Sequence, residues 1–293
     1  MKKVILDCDN TMGVLRSDID DGLTFAYLYA HEDIDLLGIT CTFANNKEHV
    51  VYYNTIQMLE DMNINDVPVL KGGRTPCSYD SEAVDFLIKM ANEYPNEVTV
   101  IAIGSMNNIA GAYNKDPKFF EKIKRIITMG GLVGDMKVNG VQCEELNYSV
   151  DHKSASSVIF NCPNLTLLSA QCTVQAEYFA KEVQKIREIN SSYSNYIMPM
   201  IDHWLSYCSL FYGDKGSFIN WDLCCAIYLT NPELFDQRLC RVKKDYKRME
   251  RGYIELDVDG SDFDINEVEI PTTILDLDKF NELFYNQLKK IDI

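Results

Sequence analysis

The chain is poor in basic residues, with 28 Lys and Arg against 44 Asp and Glu, and its net charge is −16. That balance argues against non-specific binding to nucleic acid or to an anionic membrane, since both need a basic face. No apolar run approaches the ~20 residues of a membrane span. After Met1-Lys2-Lys3 the apolar stretch Val4-Ile5-Leu6 stops at Asp7, far short of a secretory h-region. Cysteine is plentiful, with ten residues, yet no C-x-x-C spacing occurs and the four histidines stand apart from the cysteines. A zinc cluster is therefore not expected. With no secretory signal, the cysteines are expected to be reduced, buried, small apolar residues of a cytoplasmic protein. Low-complexity stretches, internal repeats and linkers are also lacking, so the 293 residues (1–293) are expected to form one domain.

What is present is ordinary globular material: 46% hydrophobic and 25% charged residues, enough to bury a large core. Short apolar runs alternate with helical patterns. Strands are expected at Lys3–Cys8, Leu36–Phe43, Val67–Leu70, Val98–Ile103, Arg125–Met129 and Leu165–Ser169. Helices are expected at Asp20–His31, Lys47–Met62 and Ser81–Asn92, the last opened by Ser81 as a cap. Residues 174–213 read as mostly helical, 237–276 as containing three β-rich runs, and Asp278–Ile291 as a closing amphipathic helix. Strands separated by helices imply βαβ units, hence an α/β fold: an open, mainly parallel, Rossmann-like sheet flanked by helices. Ligands of such sheets bind beyond the carboxyl ends of the strands.

The first strand runs into Asp7-Cys8-Asp9-Asn10, and Asp18-Ile19-Asp20-Asp21-Gly22 follows. A helix N-terminus favours one or two of these five carboxylates. It does not explain Asp7 and Asp9 at the end of an apolar strand. Close carboxylates repel unless a cation neutralises them, and hard oxygen-liking Ca²⁺ or Mg²⁺ is the natural candidate. Asn45 follows the second strand, Met129-Gly130-Gly131 the fifth, and a polar loop with Asn139, Glu144, Glu145 and Asn147 comes next. Asn220-Trp221-Asp222 precedes a helical pattern, where Asp222 alone would read as an N-cap and Trp221 as core.

Taken together these segments resemble the nucleoside hydrolase family of the inosine/uridine-preferring type. VILDCD and DIDDGL match its opening signature. GITCTFAN, AIGSMNNIA, IKRIITMGG, Glu145-Leu146-Asn147 with Asp151, Trp221-Asp222 and the closing LDLDKF follow in family order over nearly the whole chain. The resemblance implies Ca²⁺ held by Asp9, Asp21, Asp222 and the carbonyl of Ile103, with Asp9 also the general base. It implies a ribose pocket lined by Asp20, Asn45, Met129, Asn139, Glu145 and Asn147, with Asp7 supporting the cluster. The implied activity is hydrolysis of a ribonucleoside to ribose and free base, for nucleoside salvage. The implied partners are a small-molecule nucleoside and further copies of the chain, as a dimer or tetramer.

Three departures bear on the site. Asn10–Ile19 lengthens the spacing between the two Asp groups, which keeps Asp18 open as an alternative base. Trp221 stands where uridine-type members carry a leaving-group His; purine-preferring members have a Trp there, so a purine-leaning enzyme with Trp221 at the base is expected. The loop after Gly73 is short, and Gln171 stands where an Asp is common. Two other readings stay open. VILDCDNT also resembles the first motif of haloacid dehalogenase-type, Mg²⁺-dependent phosphatases, although Thr128 and Asp214 are poor matches for the later motifs. A non-catalytic nucleoside-binding relative is the other.

Overall fold

The computed structural model describes residues 1–138, 140–212 and 216–293. The described residues form an eight-stranded sheet with two small antiparallel ribbons beside it. Its strands are β1 (Lys2–Cys8), β2 (Ile34–Cys41), β3 (Val69–Leu70), β4 (Val98–Ala102) and β5 (Arg125–Met129), then β8 (Leu165–Leu168), β11 (Leu239–Lys243) and β12 (Ile265–Glu269). The ribbons pair β6 (Lys137–Val138) with β7 (Val141–Gln142), and β9 (Glu177–Tyr178) with β10 (Phe218–Ile219). The sheet order is β11-β12-β8-β5-β4-β1-β2-β3, parallel throughout except for β11 on β12. The expected α/β architecture is what the chain adopts.

β1 is a strand buried on both faces, so its apolar run is continuous rather than alternating. Val4, Leu6 and Cys8 enter one core and Ile5 the other, as the two-residue period of a strand requires. The chain runs outward from β1 to β2 and β3, then crosses back to β4 on the other flank of β1. The strand order therefore reverses between β1 and β4, and a crevice opens beyond their carboxyl ends.

The helices are α1 (Asp20–Ala30), α2 (Glu48–Asp61), α3 (Glu82–Glu93), α4 (Asn107–Lys115), α5 (Phe119–Lys122), α6 (His152–Asn161) and α7 (Ala170–Thr173). They continue with α8 (Ala180–Ile189), α9 (Ser192–Tyr212), α10 (Leu223–Thr230), α11 (Tyr246–Met249) and α12 (Leu277–Leu288). Ser81 caps α3 as expected, accepting from the Val84 N–H at 3.3 Å.

Residues 174–213 are mostly helical as expected, in α8 and α9, with the short β9 added because Glu177 and Tyr178 pair with Ile219 and Phe218, 42 and 40 positions later, which no local pattern shows. Of the three β-rich runs expected in 237–276, two are strands. Between them Tyr253 and Leu256 make only isolated bridges, to Leu132 and Val242. All ten cysteines are free thiols and eight are buried. No described helix is long and apolar enough to cross a membrane.

Candidate active site

β1 delivers Asp9 to the crevice, and β4 delivers Ile103 and Gly104 beside it; the Ile103 N–H donates to the Asp7 carbonyl at 2.8 Å. The approach is close enough that a Cβ on Gly104 would lie 2.8 Å from Asp9 Oδ1 and 2.6 Å from Thr42 Cγ2. Asp7 itself points to the other face. Its Oδ2 accepts from Thr40 Oγ1 at 2.6 Å and from Asn108 Nδ2 at 2.8 Å. It ties β1 to β2 and α4 beneath the site.

Two helix N-termini converge above this edge, since α1 packs on α10. Asp20 and Asp21 occupy the first turn of α1. Asp222 sits at the N-cap of α10, yet its side chain makes no capping bond, contrary to the reading of it as a plain cap. Single ligand oxygens of Asp20, Asp21 and Asp222 all lie within 4.8 Å of one another. Asp9 joins through its backbone, whose N–H donates to Asp21 Oδ1 at 3.0 Å. The Asp222 N–H donates to Asp20 Oδ2 at 3.4 Å. All four carboxylates are buried.

Burial, more than any other influence, pushes these acids up. Asp9 rises to about 7, with the Asp20 carboxylate adding to the effect and the Asn45 N–H opposing it. Asp20 rises to about 6. Asp21 and Asp222 are pushed well above the ordinary carboxylate range by burial and then by each other's neighbours. Asp9 Oδ1 and Asp21 Oδ2 are buried with no hydrogen-bond partner. Orphaned carboxylate oxygens are costly in the absence of a compensating charge. The helix N-termini offset part of that cost, and a hard divalent cation would offset the rest. The donor set, all oxygen, suits such an ion.

Over the cluster lies a cavity of about 610 Å³. Asp20, Asn45, Ile103, Met129, Glu145, Asn147, Trp221 and Asp222 line it, so the structure brings together most of the residues singled out from sequence. Asp9 and Asp21 lie just beneath the lining. Asn139 lies outside the described residues. Asn45 meets Asp9 through its backbone N–H, which donates to Asp9 Oδ2, rather than through its amide. Asn147 Nδ2 spans two strand ends, donating to the carbonyls of Ile103 at 3.2 Å and Met129 at 3.1 Å. A carbonyl has two lone pairs, so Ile103 O keeps one for another partner. Glu145 Oε2 accepts from the N–H groups of Tyr148 at 2.8 Å and Ser149 at 3.0 Å, and burial lifts its acid to about 7.

Trp221 packs against Leu132, Ala170 and Tyr253 while still lining the cavity. Trp204 of α9 forms a further part of the wall; its ring stacks on Tyr207 at 5.4 Å and its Nε1 has no partner. His203, adjacent to Trp204 in sequence, is exposed and does not line the cavity. Residues that sequence reasoning passed over also line it, among them Arg16, Tyr207 and Glu177, the last accepting from Ser217 Oγ at 2.6 Å. Gln171 braces the Leu132–Gly134 turn through Val133 N–H and Gly134 O, a bracing role rather than a charge at the site.

The model of a family described as inosine-uridine preferring nucleoside hydrolase matches residues 4–282. The pyrimidine-specific ribonucleoside hydrolase RihA of Enterobacter sp. (strain 638) is 25% identical over 260 residues, which cover 79% of this chain and 80% of the relative. RihA of Escherichia coli O7:K1 (strain IAI39 / ExPEC) is 24% identical over 262 residues, with the same coverage. Among solved structures, a plant nucleoside hydrolase, PpNRh1, superposes with a TM-score of 0.86 at 22% identity over 98% of this chain and 99% of its own. A purine-preferring ribonucleoside hydrolase from Gardnerella vaginalis gives a TM-score of 0.85 at 22% identity over 99% of each chain. The haloacid dehalogenase reading fails against these matches. Within the structure Thr128 is a buried core hydroxyl shared with Tyr148 at 3.1 Å.

Proposed function

Because this chain belongs to the inosine-uridine preferring nucleoside hydrolase family and is a ribonucleoside N-glycosidase, we propose that it works with Ca²⁺ held by Asp9, Asp21, Asp222 and the Ile103 carbonyl, and that it favours purine nucleosides. The observation that carries this reading is the pair of orphaned oxygens, Asp9 Oδ1 and Asp21 Oδ2, buried beside Asp20 and Asp222 under the cavity. Bound there, Ca²⁺ supplies a fixed positive centre that orients the attacking water and the ribose hydroxyls.

The chain's own residues do the rest. Asp9 Oδ1 takes a proton from the attacking water as that water adds to C1′. Asp20, which lines the cavity where Asp9 and Asp21 do not, accepts from ribose hydroxyls, with Asn45, Met129, Glu145 and Asn147 around the sugar. Bond cleavage builds an oxocarbenium-like charge on the ribose, and an acidic, water-poor pocket lowers the energy of that charge as it forms.

Trp221 is the support for the purine preference. Its indole offers a large π-face, and stacking a base on an aromatic ring is worth ~1–3 kcal/mol. The relatives point both ways, since RihA is named pyrimidine-specific and the Gardnerella vaginalis enzyme purine-preferring. The deciding experiment incubates the chain with a panel of purine and pyrimidine ribonucleosides, with and without chelator, and separates the products. Release of free base that stops on chelation and returns with Ca²⁺ is expected. Chelator-resistant release, or faster release from uridine than inosine, would overturn the corresponding half of the proposal.

A further inference from the structure

The cavity wall carries Asp18, Asp20, Glu144, Glu145, Glu177 and Asp222. Among its described lining residues Arg16 alone is basic, and none of the four histidines is present. This matters at the far end of the scissile bond. When the C1′–N bond breaks, its electron pair leaves with the nucleobase, while the proton from water goes to Asp9. The base departs as an anion unless a proton or a positive charge meets it, and a ring of carboxylates makes that anion costlier. Trp221 cannot supply the proton, because its indole N–H is a neutral donor only.

We propose that the Arg16 guanidinium meets the negative charge on the departing nucleobase. The reading rests on the hydrolase activity proposed above. Guanidinium is always charged and presents five N–H donors in a plane, so it stabilises an anion without giving up a proton. The released base then takes its proton from solvent, which balances the reaction as nucleoside plus water giving ribose plus neutral base.

Three features equip Arg16 for this. Its guanidinium makes no hydrogen bond or ion pair among the described residues, although carboxylates surround the cavity. Its backbone is in the left-handed region, with φ 64°, an uncommon conformation for a side chain other than Gly or Asn. That conformation is held by its neighbours. Val14 N–H donates to the Thr11 carbonyl at 2.8 Å, and Ser17 N–H to the Val14 carbonyl at 3.2 Å. Thr11 Oγ1 donates to the Asp18 carbonyl at 3.0 Å. Asn54 of α2 grips the entry to the loop, donating to the carbonyls of Asn10 at 3.2 Å and Met12 at 3.1 Å. Finally, Gly13 sits against Met200 of α9, the helix that brings Trp204 and Tyr207 to the cavity. The loop that carries Arg16 thus leans on the helix that supplies Trp204 and Tyr207, and all three line the same cavity.

A leaving-group series tests the assignment. Inosine and uridine release poor leaving groups, whereas 4-nitrophenyl riboside releases a phenolate that is stable unaided. Arg16→Gln should lower kcat/KM for inosine about 10- to 100-fold, the lower range for losing one charge-stabilising donor because the site is open to solvent. The aryl riboside should lose less than about threefold, since its leaving group needs little help. Arg16→Lys, which keeps the charge, should recover part of the loss. Equal losses on both substrates in Arg16→Gln, or no loss on inosine, would overturn the role of Arg16. A wild-type chain that cleaves neither substrate would instead overturn the hydrolase reading on which it rests.

Discussion

The backbone N–H of Asp9 donates to Asp21 Oδ1 at 3.0 Å, so the end of the central strand and the first turn of α1 are stitched together inside the carboxylate cluster. One oxygen of Asp21 is used in this bond and the other is left without a partner. The cluster is thereby shaped by hydrogen bonds yet not neutralised by them.

Its pH dependence follows. In the metal-free chain burial lifts Asp7, Asp9 and Glu145 to about 7 and Asp20 to about 6. Unfolded carboxyls titrate near 4. The folded values are the higher ones, so the folded chain binds more protons between about pH 4 and pH 7. Stability from these groups is full below about 4 and is lost as pH rises through 7. Melting temperature in chelator should therefore fall across that window, and Ca²⁺ should flatten the part of the slope that comes from Asp9 and Asp20, the ones of these four acids that belong to the cluster. Parallel melting curves with and without Ca²⁺ would show that the cluster holds no cation.

Asp9 and Asp18 make different demands on the chain. Asp9 follows a strand buried on both faces, whereas Asp18 is only half-buried at the end of a surface loop. Asp9→Asn should reduce kcat by about 10²–10⁴, the share a general base supplies. Asp18→Asn should cost less than about tenfold. The reverse ranking in steady-state assays would move the base to Asp18.

Trp221→Ala should separate substrates. Loss of stacking worth ~1–3 kcal/mol lowers kcat/KM for inosine about 5- to 150-fold, with a smaller loss on uridine, whose single ring covers less of the indole. Equal losses would assign Trp221 to the wall formed with Leu132, Ala170 and Tyr253 rather than to the base.

Gly104→Ala places a methyl 2.8 Å from Asp9 Oδ1 and 2.6 Å from Thr42 Cγ2. Overpacking of this kind costs ~1–3 kcal/mol of stability. Activity should suffer more than the melting temperature, because the atom that must move carries the proposed proton transfer. A variant of full activity would place the reacting oxygen elsewhere.

The strand-and-helix order was readable because buried parallel strands are continuous apolar runs, as in Val4-Ile5-Leu6, and each ends in polar residues. The grouping of Asp9, Asp20 and Asp21 stood out because a helix N-terminus accounts for only one or two such acids, whereas Asp222 alone read as an N-cap and entered only through the family resemblance. Less was visible where tertiary packing decides. Trp204 and His203 are adjacent in sequence, but ~100° apart around α9, so one enters the wall and the other faces solvent. Glu177 reaches the cavity only because β9 pairs with β10. In the loop before α1, Met12 is buried against Gly22 and Leu15 is exposed, so the polar Arg16 and Asp18 are what the loop shows the cavity, which its apolar residues alone would not suggest.

Asp20 and Asp222 lie 202 positions apart, yet the N–H of one meets the carboxylate of the other. A nascent chain can begin its central sheet from β1, β2 and β4 long before α10 is made, but it carries no complete site until the second half has been synthesised and docked. Such distant closure is slow, because the intervening chain must first be ordered. Here it is also opposed by charge, since docking α10 brings one more carboxylate against three already buried. Divalent ion in the surroundings would relieve that opposition at the docking step.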